Sequence, residues 1–184
     1  MEGIKRKPKV LIGVTGCIGV TNIESYLHIL SKIFEVKVIM TKNSQEFIRE
    51  RVVNYFADAV YTDLFREDNY VPHVSLVKES DVFVLIPASF NTISKVSHGI
   101  ADNLLTASIA NWSKPLIICP NMNEQMWRNP VFQDNISYLK EKGHIFLNEN
   151  RQAYEVADKT TSIVESGLPT PDRLAKSIIE YLKN

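Results

Sequence analysis

What this sequence lacks first is net charge: 21 basic and 21 acidic side chains cancel to a formal zero. Composition therefore imposes no basic face. Nucleic acid is not the expected partner, and little opposes self-association. Cysteine is scarce as well. Cys17 and Cys119 are too few for a disulfide scaffold, so reduced thiols in the cytoplasm are expected. No apolar run reaches the ~20 residues that cross a bilayer, and no membrane association is expected. The opening MEGIKRKPKVLIGV is basic and then apolar, in the manner of a signal peptide. Gly13, Thr15, Gly16 and Gly19 soon interrupt it, so a first β-strand fits better. Also missing are HExxH, CxxC and paired-carboxylate patterns. Metal-dependent hydrolysis and glycoside cleavage lose their support, and no metal is expected.

What remains is an ordinary soluble composition, with 45% hydrophobic and 23% charged residues over 184 positions. That length matches one domain with a sizeable core. Strand and helix patterns alternate along it. Residues 9–14 read as a strand, 21–34 as a helix with apolar residues at helical spacing, and 36–40 as a second strand. Ser44 suits the cap of a helix over 45–51. Val60 and Tyr61 suggest a short strand before a polar loop. Residues 82–86 form the most convincing central strand. Helical segments follow at 92–97 and 103–110, then a strand at 116–119. A helix over 130–141 ends at Gly143, a last strand covers 145–147, and a closing amphipathic helix covers 170–182, with Thr170 as cap and Pro171 in its first turn. Such alternation implies one parallel sheet with helices on both faces. Residues 148–168 fit no regular element. A connection of that length is usually functional, which suggests a mobile flap.

Three stretches carry chemistry. GVTGCIG, at 13–19, places backbone N–H groups where a helix begins, a setting that favours anions. Its glycines match neither GxGxxG nor a Walker loop, and a plain strand-to-helix turn explains it equally well. The second strand ends in MTKNS, where Thr41 and Ser44 offer hydroxyls to the same anion or act as caps. PASFNT, at 87–92, supplies Ser89, Asn91 and Thr92 directly after the central strand, either as a helix cap or as a grip on a planar heterocycle. PNMNEQMW, at 120–127, is the most specific. Its Met and Trp side chains are also ordinary core filler, but Asn123 is expected to be a buried amide in need of partners. His73 in VPHVSLV is read as structural or catalytic; His28, His98 and His144 lie in unremarkable contexts. Open α/β sheets bind ligands beyond their strand carboxyl ends, so PASFNT and PNMNEQMW are expected to form one site.

Together these residues resemble the homo-oligomeric flavin-containing cysteine decarboxylases. The resemblance runs from about Val10 to Leu147 and rests on GVTGCIG, His73, PASFNT, ADNLL at 101–105, and PNMNEQMW. The last matches the family's PxMNxxMW motif at every fixed position. PASFNT departs from PASANT at Phe90. The resemblance implies a single flavoprotein domain over 1–184, Rossmann-like or flavodoxin-like, with 148–168 as a flap over the substrate. It implies FMN, with FAD as the alternative. It also implies a site built where subunits of a trimer meet, in a trimer or in a dodecamer assembled from trimers.

The family has two main branches. One acts on phosphopantothenoylcysteine; the other acts on the C-terminal cysteine of a ribosomally made peptide. The coenzyme A branch carries a late cysteine in an ACGD-like motif, whereas this chain has none after Cys119 and reads AYEVAD and GLPTPDRL instead. The peptide branch, of the epidermin and mersacidin type, is the expected one. The resemblance assigns His73 as base, Asn123 as the hydrogen-bond partner of the substrate carboxylate, and Met126 beside the reacting cysteine. Gly16, Cys17, Ile18, Thr41 and Ser44 would line the flavin phosphate and ribityl chain. Ser89, Asn91, Asp102 and Asn103 would border the ring. Cys17 lies in a turn, which favours a backbone role over a nucleophilic one. The weighed alternatives are a flavin prenyltransferase, which PxMNxxMW with His73 argues against, and a non-catalytic flavin-binding regulatory protein, whose usual acidic tail the ending SIIEYLKN lacks.

Overall fold

The computed structural model describes residues 6–65, 70–155 and 159–183. Along the chain run β1 (Lys9–Val14), α1 (Ile23–Ile33), β2 (Glu35–Met40), α2 (Glu50–Val53), β3 (Ala59–Tyr61), α3 (Pro72–Glu79) and β4 (Val82–Ala88). After these come α4 (Phe90–Ser97), α5 (Leu104–Ala110), β5 (Ile117–Pro120), α6 (Glu124–Trp127), α7 (Pro130–Glu141) and β6 (Ile145–Phe146). The chain closes with β7 (Glu149–Glu155), β8 (Thr160–Gly167) and α8 (Pro171–Tyr181). Strands β1 to β6 form one sheet in the order β3-β2-β1-β4-β5-β6, and β7 and β8 form a separate antiparallel pair. Every pairing in the six-stranded sheet is parallel.

The sheet is buried on both faces, which is why its central strands are continuous apolar runs. Strand β4, VFVLIPA, is buried throughout. The two-residue alternation of a strand sends Val10, Ile12 and Val14 to one face and Leu11 to the other. The first face receives α1, through Ile23, Leu27 and Leu30, and α8, through Leu174 and Ile178. The second face receives Leu76 of α3, Ile93 of α4, Leu105 of α5, and Phe132, Ile136 and Leu139 of α7. This is the expected α/β architecture.

Helix ends follow their caps. Thr170 Oγ1 accepts from the Arg173 amide, and Gly143, at φ +89°, closes α7 where a side chain would be strained. Several expectations require correction. Ser44 does not start a helix over 45–51. Thr41 caps a short 3-10 turn, Lys42–Glu46, with Ser44 buried inside it, and α2 begins only at Glu50. Helix α3 has no counterpart among the expected elements. Pro72 pre-sets its first turn, but at eight residues it is too short to show a convincing apolar stripe. The segment expected to be irregular at 148–168 is mostly the β7–β8 hairpin. Its first strand, ENRQAYE, lacks the apolar alternation by which strands are recognised. Residues 156–158, within AYEVAD, and 66–69, where a polar loop was expected, lie outside the described residues.

Phe90, the departure within PASFNT, has a packing role. Its ring stacks on Phe132 of α7, with centroids 4.5 Å apart and planes at 17°, and Trp127 meets Phe132 edge-on at 6.1 Å. The stack joins α4 to α7 behind the strand ends. Phe132 is fully buried. Phe132→Ala is expected to cost ~3–5 kcal/mol through lost contacts and a residual cavity. Its exposed neighbour Val131→Ala should cost less than about 0.5 kcal/mol. Denaturant midpoints of the two variants check this pair.

Candidate functional site

In an open parallel sheet the chain reverses its winding at one place, and a crevice opens there beyond the strand carboxyl ends. Here that place lies between β1 and β4, which are neighbours although β2 and β3 come between them in sequence. Four turns leave this edge: Thr15–Gly19 after β1, Thr41–Ser44 after β2, Ser89–Thr92 after β4, and Asn121–Trp127 after β5.

Polar side chains stitch these turns together. Thr15, almost wholly buried, donates its hydroxyl to the Pro87 carbonyl at 2.7 Å and accepts from the Ser89 amide at 2.8 Å. The turns after β1 and β4 are thereby joined. The Asn121 amide donates to the Ala88 carbonyl at 2.9 Å, and Asn121 Oδ1 accepts from the Gly19 amide at 2.9 Å. The turn after β5 is thereby joined to both. Two glycines permit this closeness. A Cβ on Gly16 would lie 2.8 Å from the backbone of Asn43, and one on Gly19 would lie 2.7 Å from Asn121 Oδ1 and 2.8 Å from a Leu168 methyl.

The expected cofactor-binding residues take these places. Cys17 precedes the 3-10 turn Ile18–Asn22 without capping it, and the Gly19 amide within that turn is already taken by Asn121 Oδ1. Ile18 is exposed. Thr41 accepts from the Ser44 amide, and buried Ser44 donates its hydroxyl to the Thr41 carbonyl at 2.7 Å. Ser89 caps α4 by accepting from the Thr92 amide, and Asn91 lies exposed in that helix's first turn. Asn103 caps α5 in a reciprocal box with Thr106. Asp102 lies just before it, accepting from Lys95 and from Asn103 Nδ2. The hydrogen bond from Lys95 holds its carboxyl below the usual carboxylate range.

Of the residues expected to act on substrate, Asn123 needs a correction of place. Asn123 is exposed rather than buried. Its side-chain oxygen caps α6 by accepting from the Met126 amide at 2.8 Å, which leaves its NH₂ pointing from a helix start. Met126 is 40% exposed on the same short helix. His73 is not stitched to the strand-end turns. It sits in the first turn of α3, and its carbonyl accepts from Asn111 Nδ2, beyond the last residue of α5. Its Nδ1 is buried without a hydrogen-bond partner among the described residues. A buried imidazole nitrogen left unpaired is costly. Two contributors to the site escaped the sequence reading, Thr15 and Asn121. Both stand inside the motifs, but only the sheet order shows which turns they join.

A flavin phosphate and ring fit this donor set. Gly16 and Ile18 amides with no partner among the described residues, clustered hydroxyls and exposed side-chain amides are what an anionic, planar group requires. The opposite end of the sheet also holds a cleft, of about 950 Å³, lined by Arg6, Asp81, Lys114 and Glu180 among others. Arg6 and Asp81 there pair with each other at 3.1 Å, and the cleft lies away from every motif.

The profile of the family described as Flavoprotein matches residues 2–183. The chain belongs to the Flavoprotein family. Among its curated relatives, the mersacidin decarboxylase of Bacillus sp. is 33% identical, over 98% of this chain and 93% of that protein. A probable phosphopantothenoylcysteine decarboxylase of Streptococcus mutans is 34% identical, over 74% of this chain and 79% of that protein. Among solved structures, the epidermin biosynthesis protein EpiD of Staphylococcus aureus superposes with a TM-score of 0.82 at 37% identity, covering 92% of this chain and 99% of that one. The FMN-binding protein AtHal3 superposes with a TM-score of 0.80 at 27% identity, covering 96% of this chain and 97% of that one. Both named decarboxylase types thus lie at similar distance from this Flavoprotein chain.

Neither thiol is poised for chemistry. Burial pushes the Cys17 thiol from 9.0 to about 12, against weaker opposing hydrogen bonds from Thr15 and Gly19, and burial also raises Cys119. At pH 8 a thiol with pKa near 12 is thiolate in only roughly one molecule in ten thousand. Native protein at pH 8 should resist iodoacetamide at both cysteines, and denaturant should release both; mass spectrometry reads the difference. Unfolding returns each thiol to its ordinary value. Their contribution to stability is therefore present below about pH 9 and is lost as pH rises towards 12. Denaturation midpoints should fall over that interval.

Proposed function

We propose that this chain is a cytoplasmic, FMN-dependent decarboxylase of the C-terminal cysteine of a ribosomally synthesised precursor peptide, yielding an enethiol for aminovinyl-cysteine maturation. One observation supports it above the rest. The complete PNMNEQMW turn is pinned by Asn121 to the glycine turn after β1, in a chain of the Flavoprotein family. Cysteine chemistry and cofactor binding would then share one rigid edge. The lack of any cysteine after Cys119, and the late AYEVAD and GLPTPDRL, favour the peptide over phosphopantothenoylcysteine.

FMN, when bound, supplies the two-electron oxidation that makes the cysteine side chain a thioaldehyde, an electron sink that allows the neighbouring carboxylate to leave as CO₂. The chain's own residues do the rest. The amides of Gly16 and Ile18, beside Cys17, and the hydroxyls near Thr41 hold the phosphate. Asn91, Ser89 and the Asp102–Asn103 corner flank the ring. The Asn123 NH₂, left free by its capping oxygen, holds the substrate carboxylate, and Met126 packs against the thiol-bearing carbon. His73 takes a proton from the cysteine. Its place apart from the turns, in the first turn of α3, fits service to a neighbouring subunit's site in a trimer, or in a dodecamer assembled from trimers. Residues 1–184 would form one flavoprotein domain, with the β7–β8 hairpin as substrate flap.

The purified protein should be yellow. It should convert a cysteine-ending peptide to a product lacking CO₂ and two hydrogens by mass spectrometry. Faster CO₂ release from phosphopantothenoylcysteine would overturn the choice of substrate. His73→Asn should keep its flavin absorbance and lose turnover by ~10²–10⁴-fold, the usual weight of a general base.

A further inference from the structure

The β7–β8 hairpin is fastened to the PNMNEQMW turn by two neighbouring side chains of β8, Glu165 and Ser166. Along β8, the strand alternation buries Val164 and Ser166 and turns Ile163 and Glu165 outward. Glu165 then meets α6. One carboxylate oxygen accepts from the Trp127 indole N–H at 3.2 Å, and the other lies 3.6 Å from the Arg128 guanidinium. The Glu165 amide donates to Glu124 Oε2 at 3.2 Å, and Glu124 Oε1 accepts from Arg128 at 2.6 Å. The Glu165 carbonyl accepts from Asn148 Nδ2 at 2.8 Å. Next along the strand, Ser166 donates to the Met122 carbonyl at 2.7 Å. Glu165, Arg128 and Glu124 thus close a ring of bonds where β8 meets the helix that carries Met126 and is capped by Asn123.

The strengths within this ring are unequal. Arg128 is largely exposed, and exposed ion pairs contribute little. Trp127 is only 8% exposed and Glu165 is the one acceptor its N–H has among the described residues, although the Glu165 side chain is itself 49% exposed.

We infer that Glu165 is a positioning residue, whose carboxylate sets the hairpin on the α6 turn so that a cysteine-ending substrate is clasped between them. The inference rests on the proposed function, since it needs Asn123 and Met126 to face substrate. Glu165 itself touches neither the thiol nor the cofactor. Its loss should weaken substrate binding and leave the chemical step and the flavin pocket intact. Glutamine, which keeps an oxygen for the indole but loses the charge, should serve nearly as well as glutamate.

The test uses flavin-loaded wild type, Glu165→Leu, Glu165→Gln, Arg128→Met and Trp127→Phe. Hydrogen exchange of the β8 amides, measured without substrate, should quicken about tenfold in Glu165→Leu and stay within about threefold of wild type in Glu165→Gln and Arg128→Met. With a cysteine-ending peptide, Glu165→Leu should raise KM about tenfold with kcat within about threefold, and Glu165→Gln should restore KM. Trp127→Phe removes the donor instead of the acceptor. It should raise KM similarly, and adding Glu165→Leu should change little more. Wild-type exchange in Glu165→Leu would overturn the inference, and so would unchanged KM or a fall confined to kcat. If flavin-loaded wild type turns over no cysteine substrate, the proposed function fails instead, while the exchange rates still decide whether Glu165 anchors the hairpin.

Discussion

The hydroxyl of Thr15 holds together the edge on which everything else is built. It donates to the carbonyl of Pro87 and accepts from the amide of Ser89, and so spans the end of β1 and the end of β4. These are the two strands between which the sheet reverses its winding. A crevice at such a place needs its rims held at a fixed separation, and water would compete for a bond at an exposed rim. Thr15 is almost wholly buried, so the bond is made in a low-dielectric setting where water cannot replace it. Asn121 extends the brace to the turn after β5.

The electrostatics of this edge are those of a binding surface rather than of a nucleophile. Its donors are backbone amides, hydroxyls and carboxamides, and its one thiol is driven further into the neutral form by burial. The acidic residue at its border, Asp102, is committed to Lys95 and to the start of α5. Redox power would have to come from the bound flavin, and the chain's part is to place, orient and screen. The histidine assigned to proton transfer stands elsewhere, on α3.

How much of this was legible in the sequence depends on how each element is stabilised. Buried strands such as VFVLIPA are unmistakable, because both faces need apolar side chains and nothing interrupts them. Helices α7 and α8 were bounded closely by Pro, Thr and Gly, whose roles at helix ends are local. The β7–β8 hairpin was not legible, because polar tethers such as Glu165 and Ser166 seat it on α6 and leave no apolar alternation to read. The motifs named candidate members of the site but not their burial. Asn123 looked like a buried amide from its apolar neighbours, yet it faces solvent as a helix cap. Phe90 stood out only as the departure from PASANT, and its stacking on Phe132 needed the fold to be seen.

The single amide bond from Gly19 to Asn121 has a thermodynamic corollary. It ties the turn assigned to the phosphate directly to the turn assigned to the cysteine, with no flexible linker between. Ordering either turn spares part of the entropy otherwise spent on ordering the other, and such coupling is reciprocal by necessity. Within the proposed reading, the empty protein is therefore a poorer receptor for a cysteine ligand than the loaded one. By the same measure, a seated cysteine ligand slows the escape of the cofactor.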